Sequence, residues 1–364
     1  MHRIALTYQL GEQAGHDLHH PLMALLEAVH ETGSIGAAAQ RLGRSYRHVW
    51  GELKRWEAEL GRPLVRWVKG QRAQLAPFGE KLLWAERRAR ARLAPQIESL
   101  RGELERAFAI AFDDAAGVIP MSASHDDALP ALREWAQSEH RLHLDIAFTG
   151  SVDALAALNA GRCLLAGFHA LTQSPRRSPT ARVYRSMLRP GEHKLIGFAR
   201  RRQGLIVPRG NPLRLQTLAD LARPGVRFVN RAVGTGTRVL FEELLDRAAI
   251  DPATITGFHG AEPSHRASAA AVASGSADTA FGIESAASAA GLDFVPLAEE
   301  QYFLVVLRES LEEPAVQALL ALLASPAWRE RIARIPGYTP ERSGEVLSLR
   351  GVLPWWSYRK AKPG

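Results

Sequence analysis

The sequence predicts a multidomain chain: an all-α, winged helix-turn-helix domain at the N-terminus, a long linker helix, and a larger α/β domain. Three observations carry that prediction. Three short helical patterns, closed or separated by glycine, lie between residues 21 and 61. A stretch rich in Ala, Leu, Arg and Glu follows from Pro77 to about Phe112. From about residue 114 the pattern becomes repeated strand-loop-helix units, which imply a mostly parallel sheet covered by helices.

The 364 residues are 46% hydrophobic and 23% charged, so a large core is available and wholesale disorder is excluded. No uninterrupted apolar run approaches the roughly 18 residues of a membrane span. The segment from Met1 to Leu10 lacks the apolar core of a signal peptide, and a cytoplasmic protein is expected. Cys163 is the single cysteine, which excludes an intramolecular disulfide and a multi-cysteine zinc site. Net charge is +8. Between Arg41 and Arg72 nine Lys or Arg stand against three Glu, the excess expected of a surface that faces phosphates.

Leu22, Leu25, Leu26 and Val29 make a helical apolar stripe that Gly33 closes. Ser34 caps a second helix through Ile35, Ala38, Ala39 and Leu42, and Gly43 breaks it. Ser45 caps a third, with Val49, Leu53, Trp56 and Leu60 buried and Gly61 at its end. Two short helices joined by a tight glycine turn are the helix-turn-helix signature, which makes the third helix the recognition helix. Arg47 is placed to read a guanine edge in the major groove. Gly51 lets the backbone approach DNA. Arg44, Lys54 and Arg55 fit phosphates, which position without specifying. Extended runs on either side of Lys69 and Gly70 read as a hairpin wing, with Lys69 and Arg72 at its tip. The alternative is a helical bundle with a solvated basic face.

The run GSIGAAAQRLGRSYRHVWGELKRWEAELGRPLVRWVKGQRAQLAPFGEKLL resembles the winged helix-turn-helix of LysR-type regulators. It is most similar to the ModE-type branch, in which a Tyr-Arg pair and a Trp stand where Tyr46, Arg47 and Trp50 stand here. The resemblance covers about residues 18–84. One departure is Ala76, where the family usually has a Thr cap; Pro77 can still open the next helix. The candidate DNA-contacting set is Arg44, Ser45, Tyr46, Arg47, His48, Lys54, Arg55, Lys69 and Arg72.

In the linker, Leu82, Ala85, Ala89, Leu93, Ile97, Leu100, Leu104 and Phe108 recur at helical spacing. Gly79, Pro95 and Gly102 are its breakers, and Pro95 should kink or split it. The stripe needs a partner. The resemblance implies a second copy of the chain, hence a homodimer, with a tetramer left open. The alternative is that the stripe packs on its own chain.

In the larger domain the sharpest loop follows the strand 226–229. It runs from Asn230 to Arg238 through Gly234, Thr235, Gly236 and Thr237 and opens a helix from Val239 to Ala249. Its glycines turn amides, its threonines hydroxyls and its helix start partial positive charge toward one point, which makes an anion cradle. It lacks the P-loop ending and the third glycine of a dinucleotide fingerprint. The alternative is an ordinary glycine-rich turn. Across about residues 118–347, the pieces SHDDALPAL, GSVDALAALNAG, RRQGLIVPRGNP, FVNRAVGTGTRVLFEELL and SHRASAAAVASGSADTAFGI resemble, in order, a periplasmic-binding-protein-like domain. That resemblance implies the type II fold, with two α/β lobes, a ligand cleft, and crossing strands near 195–207 and 298–307.

The domains are therefore expected at 1–76, 77–113 and 114–350, with lobes at 114–200 plus 306–350 and at 201–305, and an unassigned tail at 351–364. Ligand contacts are expected from Ser122, Ser124, Gly150, Ser151, Asn230, Arg231, Thr235, Gly236, Thr237 and Arg238. Neutral donors suit a tetrahedral oxyanion. Arg231 and Arg238, turned inward, suit formate, another small carboxylate or a phosphorylated pterin. Paired with lobe acids such as Glu242 or Glu243, they leave a neutral site. His16, His19 and His20 lack a hydrolytic zinc spacing; His169, His259 and His265 are dispersed polar groups. No nucleophile elbow or spaced acid/base pair is present, and no enzyme activity, metal or cofactor is called for.

The reading is a one-component transcriptional regulator that binds a double-stranded DNA operator, without a membrane partner. It senses a small anion, with molybdate or tungstate first. The resemblance points to molybdenum-related genes, such as those of formate dehydrogenase. The alternatives are a sensor of a carboxylate or of molybdenum cofactor, an intracellular molybdate or cofactor carrier, and a transport binding protein, which the missing export signal opposes.

Overall fold

Proline and serine start the N-terminal helices, and glycine ends two of them. In a computed structural model that describes residues 20–66, 73–112, 117–171, 174–353 and 355–356, α1 (Pro21–Thr32) stops where Gly33 turns left-handed at φ 62° and donates its N–H to the Val29 carbonyl. Ser34 accepts the Ala37 N–H at the start of α2 (Ile35–Arg41). Ser45 accepts the His48 N–H at the start of α3 (Tyr46–Leu60). Leu22, Leu26, Val29, Ile35, Ala38, Val49 and Leu53 close one core. Behind α3, β1 (Val65–Arg66) pairs antiparallel with β2 (Gln74–Leu75), the base of the wing. The Glu57 carboxylate accepts the N–H groups of Leu64 and Val65 at 2.8 and 3.2 Å, tying the wing to α3.

The linker is one helix, α4 (Pro77–Phe112), with Pro95 inside it. Of the two outcomes expected at Pro95, a kink or a split, the split does not occur, and Gly79 and Gly102 do not break the helix. A Cβ on Gly79 would stand 2.2 Å from the Leu64 carbonyl oxygen, so glycine permits a close approach there. The chain divides into two compact units, Met1–Arg90 and Ala91–Gly364, and the boundary falls within α4.

In the second unit, β3 (Gly117–Ala123), α5 (Ala128–His140), β4 (Leu142–Phe148), α6 (Ser151–Asn159) and β5 (Leu165–Leu171) build one lobe. After α7 (Pro179–Tyr184), β6 (His193–Val207) crosses to a second lobe. That lobe holds β7 (Phe228–Arg231), α8 (Gly236–Arg247), β8 (Ala261–Glu262), α9 (His265–Ala273), β9 (Thr279–Ile283) and α10 (Glu284–Ala289). The long strand β10 (Asp293–Leu307) then returns. The strand order is β4-β3-β5-β10-β6-β9-β7-β8.

The sheet is mixed, not mostly parallel. β3 pairs parallel with β4 and β5, and β7 with β8 and β9, but β10 runs antiparallel to both β5 and β6. Strands that carry the chain from lobe to lobe and back must oppose each other, so the middle of the sheet is antiparallel. Trp355 is fully buried and meets the Phe168 ring edge-on, so this part of the tail completes the first lobe's core. Among the described residues no helix is long and apolar enough to cross a membrane.

Candidate nucleic-acid interface and ligand cleft

On α3 the buried side is Val49 and Leu53, with Trp56 and Leu60 half-buried. Arg44, Ser45, Tyr46, Arg47, His48, Lys54 and Arg55 are all exposed on the remaining surface. Tyr46 and Trp50 stack with planes 7° apart, and the Lys54 ammonium sits 4.7 Å over Trp50. Lys54 also pairs with Glu57, and Arg55 with Glu52, both at 2.7 Å. Arg44 and Arg47 have no ion pair among the described residues. A Cβ on Gly51 would meet open space, so nothing inside the unit requires glycine there. Lys69 and Arg72 lie outside the described residues, as do His16 and His19.

In the second unit the two lobes meet over a buried polar cluster at the middle of the crossing strands. Arg201 on β6 is 2% exposed. Its guanidinium bonds Asp126 and Glu300, and its Nη2 lies 3.1 Å from His169 Nδ1. Burial works against its charge, but Glu300 and Asp126 outweigh burial and hold it firmly protonated. Gln203 donates to Glu300 at 2.7 Å and to Thr237 Oγ1 at 3.4 Å, and Tyr338 donates to Asp126 at 2.6 Å. Thr237 Oγ1 is 3.2 Å from His265 Nε2.

The Arg201 contact fixes the tautomer of His169. A guanidinium only donates, so His169 Nδ1 accepts and its proton sits on Nε2. The Nε2 atom has no hydrogen-bond partner among the described residues. Burial, then Arg201 and Arg231, push the His169 ring well below its usual value, so it is neutral. Arg231 is 1% exposed. Its Nη1 donates to the Glu262 carbonyl at 2.9 Å, and its Nε has no partner among the described residues. Burial and the neighbouring Arg201 bring it down to about 9, still charged at neutral pH.

Of the expected ligand residues, the structure brings Ser124, Ser151, Gly236, Thr237 and Arg231 to this junction. Ser124 and Ser151 share a 3.0 Å hydrogen bond. A Cβ on Gly236 would stand 2.8 Å from His169 and 2.9 Å from Ser151 Oγ. Gly150 is equally confined: its Cβ would lie 2.8 Å from the Gly234 carbonyl oxygen.

The other expected ligand residues have partners within the chain. Ser122 bonds the Cys163 thiol. Asn230 and Arg231 belong to β7 rather than the loop, and the Asn230 amide donates to the Phe258 carbonyl while its oxygen accepts the Arg231 N–H. Thr235 caps α8, accepting the Arg238 N–H and donating to the Ala232 carbonyl at 2.7 Å. Arg238 is held by Glu242 at 2.6 Å, by the Phe258 carbonyl and by the Phe258 ring. The two arginines thus divide: Arg238 pairs with a lobe acid, and Arg231 remains with the cluster.

Sequence reasoning missed Asp126, Arg201, Gln203 and Glu300 altogether and left His169 and His265 unassigned. A signal existed. A charged residue in the middle of a crossing strand can be buried only if a partner meets it there, and Arg201 lies opposite Glu300 in the register.

Comparisons with known proteins agree with both units. A family described as bacterial regulatory helix-turn-helix protein, lysR family, matches residues 21–80. A family described as PBP superfamily domain matches residues 132–324, more than half of the chain. YvgK of Bacillus subtilis is 32% identical over 200 residues, 55% of this chain and 64% of that protein, so the chain spans less than two thirds of that relative's length. The molybdenum-pterin-binding protein MopB of Rhodobacter capsulatus is 36% identical over 86 residues, 22% of this chain and 32% of MopB. Among solved structures, a cysteine-to-serine mutant of Corynebacterium glutamicum OxyR with hydrogen peroxide bound aligns at TM-score 0.41 and 17% identity, covering 82% of this chain and 87% of that one. The chain belongs to the PBP superfamily and carries a helix-turn-helix domain of the lysR family.

Proposed function

We propose that this regulator binds operator DNA through α3 and the wing as a homodimer, and that a single small anion held at the lobe junction sets its activity. The observation that carries the anion is the pair of buried donors without a partner among the described residues, Arg231 Nε–H and His169 Nε2–H. A buried cation short of partners is destabilising, and an anion that completes its bonds relieves that cost. One charged donor, one neutral donor and the hydroxyls of Ser124, Ser151 and Thr237 suit a tetrahedral oxyanion. The partial likeness to MopB supports molybdate, with tungstate as its chemical twin, and control of molybdenum-related genes. A second reading is formate or another small carboxylate, or a larger molybdenum cofactor, favoured by the guanidinium of Arg231. Thermal unfolding of the full chain against molybdate, tungstate, sulfate, phosphate, formate and buffer separates them. Ligand at about 1,000 times its Kd adds roughly 4 kcal/mol to stability. A shift with molybdate and tungstate alone is expected. A shift with formate alone moves the assignment to carboxylates, and none with any of them sinks the small-anion reading.

A further inference from the structure

In an α-helix the carbonyl four residues before a proline loses its partner, because proline has no N–H. In α4 that carbonyl belongs to Ala91. It does not stay bare: the Ser264 hydroxyl, at the start of α9 in the second lobe, donates to it at 3.1 Å. One residue on, Arg92 lies 3.6 Å from the Glu262 carboxylate. The second lobe therefore grips α4 at Ala91 and Arg92. The first lobe grips it further along. Glu98 lies 3.6 Å from His125, Ser99 Oγ accepts the Phe148 N–H at 2.9 Å, and Arg106 pairs with Asp145 at 3.1 Å. Pro95 sits between the two grips.

The residues that hold α4 from the second lobe are the immediate neighbours of those that line the cleft. His265, next to Ser264, meets Thr237. The Glu262 backbone carbonyl receives Arg231 Nη1, while its side chain faces Arg92. We infer that the segment Glu262–His265 is the coupling element of this regulator: it transmits the state of the cleft to the linker helix, and Pro95 is the flexion point that makes the helix responsive. This rests on the anion-sensing reading above. If the lobes rotate apart, Ser264 and Glu262 leave α4 while Glu98, Ser99 and Arg106 stay with the first lobe. The helix must then bend at the one place where its own ladder is already open.

The test is a ligand-free double-variant cycle read by amide hydrogen exchange of residues 91–99 in the full chain. Thr237→Val removes the hydroxyl that meets His265. Ser264→Asp keeps a good helix cap but cannot donate to Ala91, and Ser264→Thr keeps both functions. The expected result is that Thr237→Val speeds exchange of 91–99 at least about fivefold, the low end of allosteric coupling. Ser264→Asp should do the same, the pair should do no more than either alone, and Ser264→Thr should match the parent. Pro95→Ala, which returns an in-helix donor to Ala91, should abolish the response to Thr237→Val. Effects that multiply in the double variant, or no change at 91–99 in Thr237→Val, overturn the inference. Arg231→Gln is the second cleft variant if Thr237→Val does not fold. Molybdate is a separate arm: binding that slows exchange at 91–99 supports the coupling, and binding without slowing overturns it. Failure of molybdate to bind counts against the anion assignment alone, because the cycle uses no ligand.

Discussion

Arg47 stands exposed at the start of α3, whereas Arg201 is buried between two carboxylates and a histidine. The difference in surroundings decides what each can do. An arginine without an ion pair among the described residues, beside an exposed tyrosine, is available to a base edge. One already held by Asp126 and Glu300 orients its neighbours instead. Arg47→Ala should lower operator affinity by about 1–3 kcal/mol, five- to 150-fold, while leaving thermal stability within about 0.5 kcal/mol. Arg55→Ala removes a residue already paired with Glu52 and should weaken binding to all sequences slightly and alike. A gel-shift series on operator and scrambled duplexes checks both; unchanged operator affinity in Arg47→Ala would exclude it as the reading residue. The exposure of these residues was legible because the buried positions of α3, Val49 and Leu53, recur at helical spacing. In the cleft the residues were legible only in part. Thr235 and Thr237 look alike in sequence, yet one caps α8 and the other meets His265, and two residues along a helix start turn a hydroxyl to a different side.

At the scale of elements, α4 has two faces with different fates. Pro95 and Gly102 are buried against the second unit's own residues. Leu93 and Leu100 remain 46% and 57% exposed, with Ile97 and Leu104 half-buried beside them. Those four positions repeat at alternating steps of four and three, the seam spacing of paired helices. The periodicity was readable from sequence; which face the chain would cover itself was not, because that depends on where Ser99 and Arg106 find Phe148 and Asp145. Burying one leucine contributes about 1.5–3 kcal/mol, and a dimer buries each twice. If the proposed homodimer pairs through this face, Leu93→Glu with Leu100→Glu should convert it to monomer at micromolar concentration with the fold intact. Sedimentation shows whether it does, and an unchanged dimer would place the interface elsewhere.

At the scale of the whole molecule, the order of helices and strands was legible, but the junction was not. It is made by pairing residues about a hundred positions apart, as in Arg201 with Glu300, and no local pattern carries such a register. That junction also sets how the second unit responds to acid. His169 and His265 are held neutral, well below the ordinary 6.5, first by burial and then by Arg201 and Arg231. The unfolded chain binds protons at these rings from about pH 6.5 downward and the folded chain does not, so their neutral burial is fully tolerated above that pH and increasingly destabilising below it. Each ring contributes a slope of up to about 1.4 kcal/mol per pH unit. His30 and His193 are lowered as well, chiefly by burial, but are less deeply enclosed and add smaller slopes of the same sign. The carboxylates Glu98 and Asp127 are lowered below their ordinary 4.5 and 3.8 despite burial, so their losses begin only under about pH 4.5. Thermal midpoints should hold from pH 8 to 7 and fall between pH 6.5 and 5. In His169→Gln with His265→Gln, amides that do not titrate should flatten most of that fall. If the double variant keeps the parent's slope, the acid response arises outside the cleft. Binding of an anion to Arg231 and to the neutral His169 Nε2–H takes up no proton, so the midpoint shift that molybdate gives should be alike at pH 7 and pH 6, and a shift that grows toward pH 6 would contradict the neutral ring.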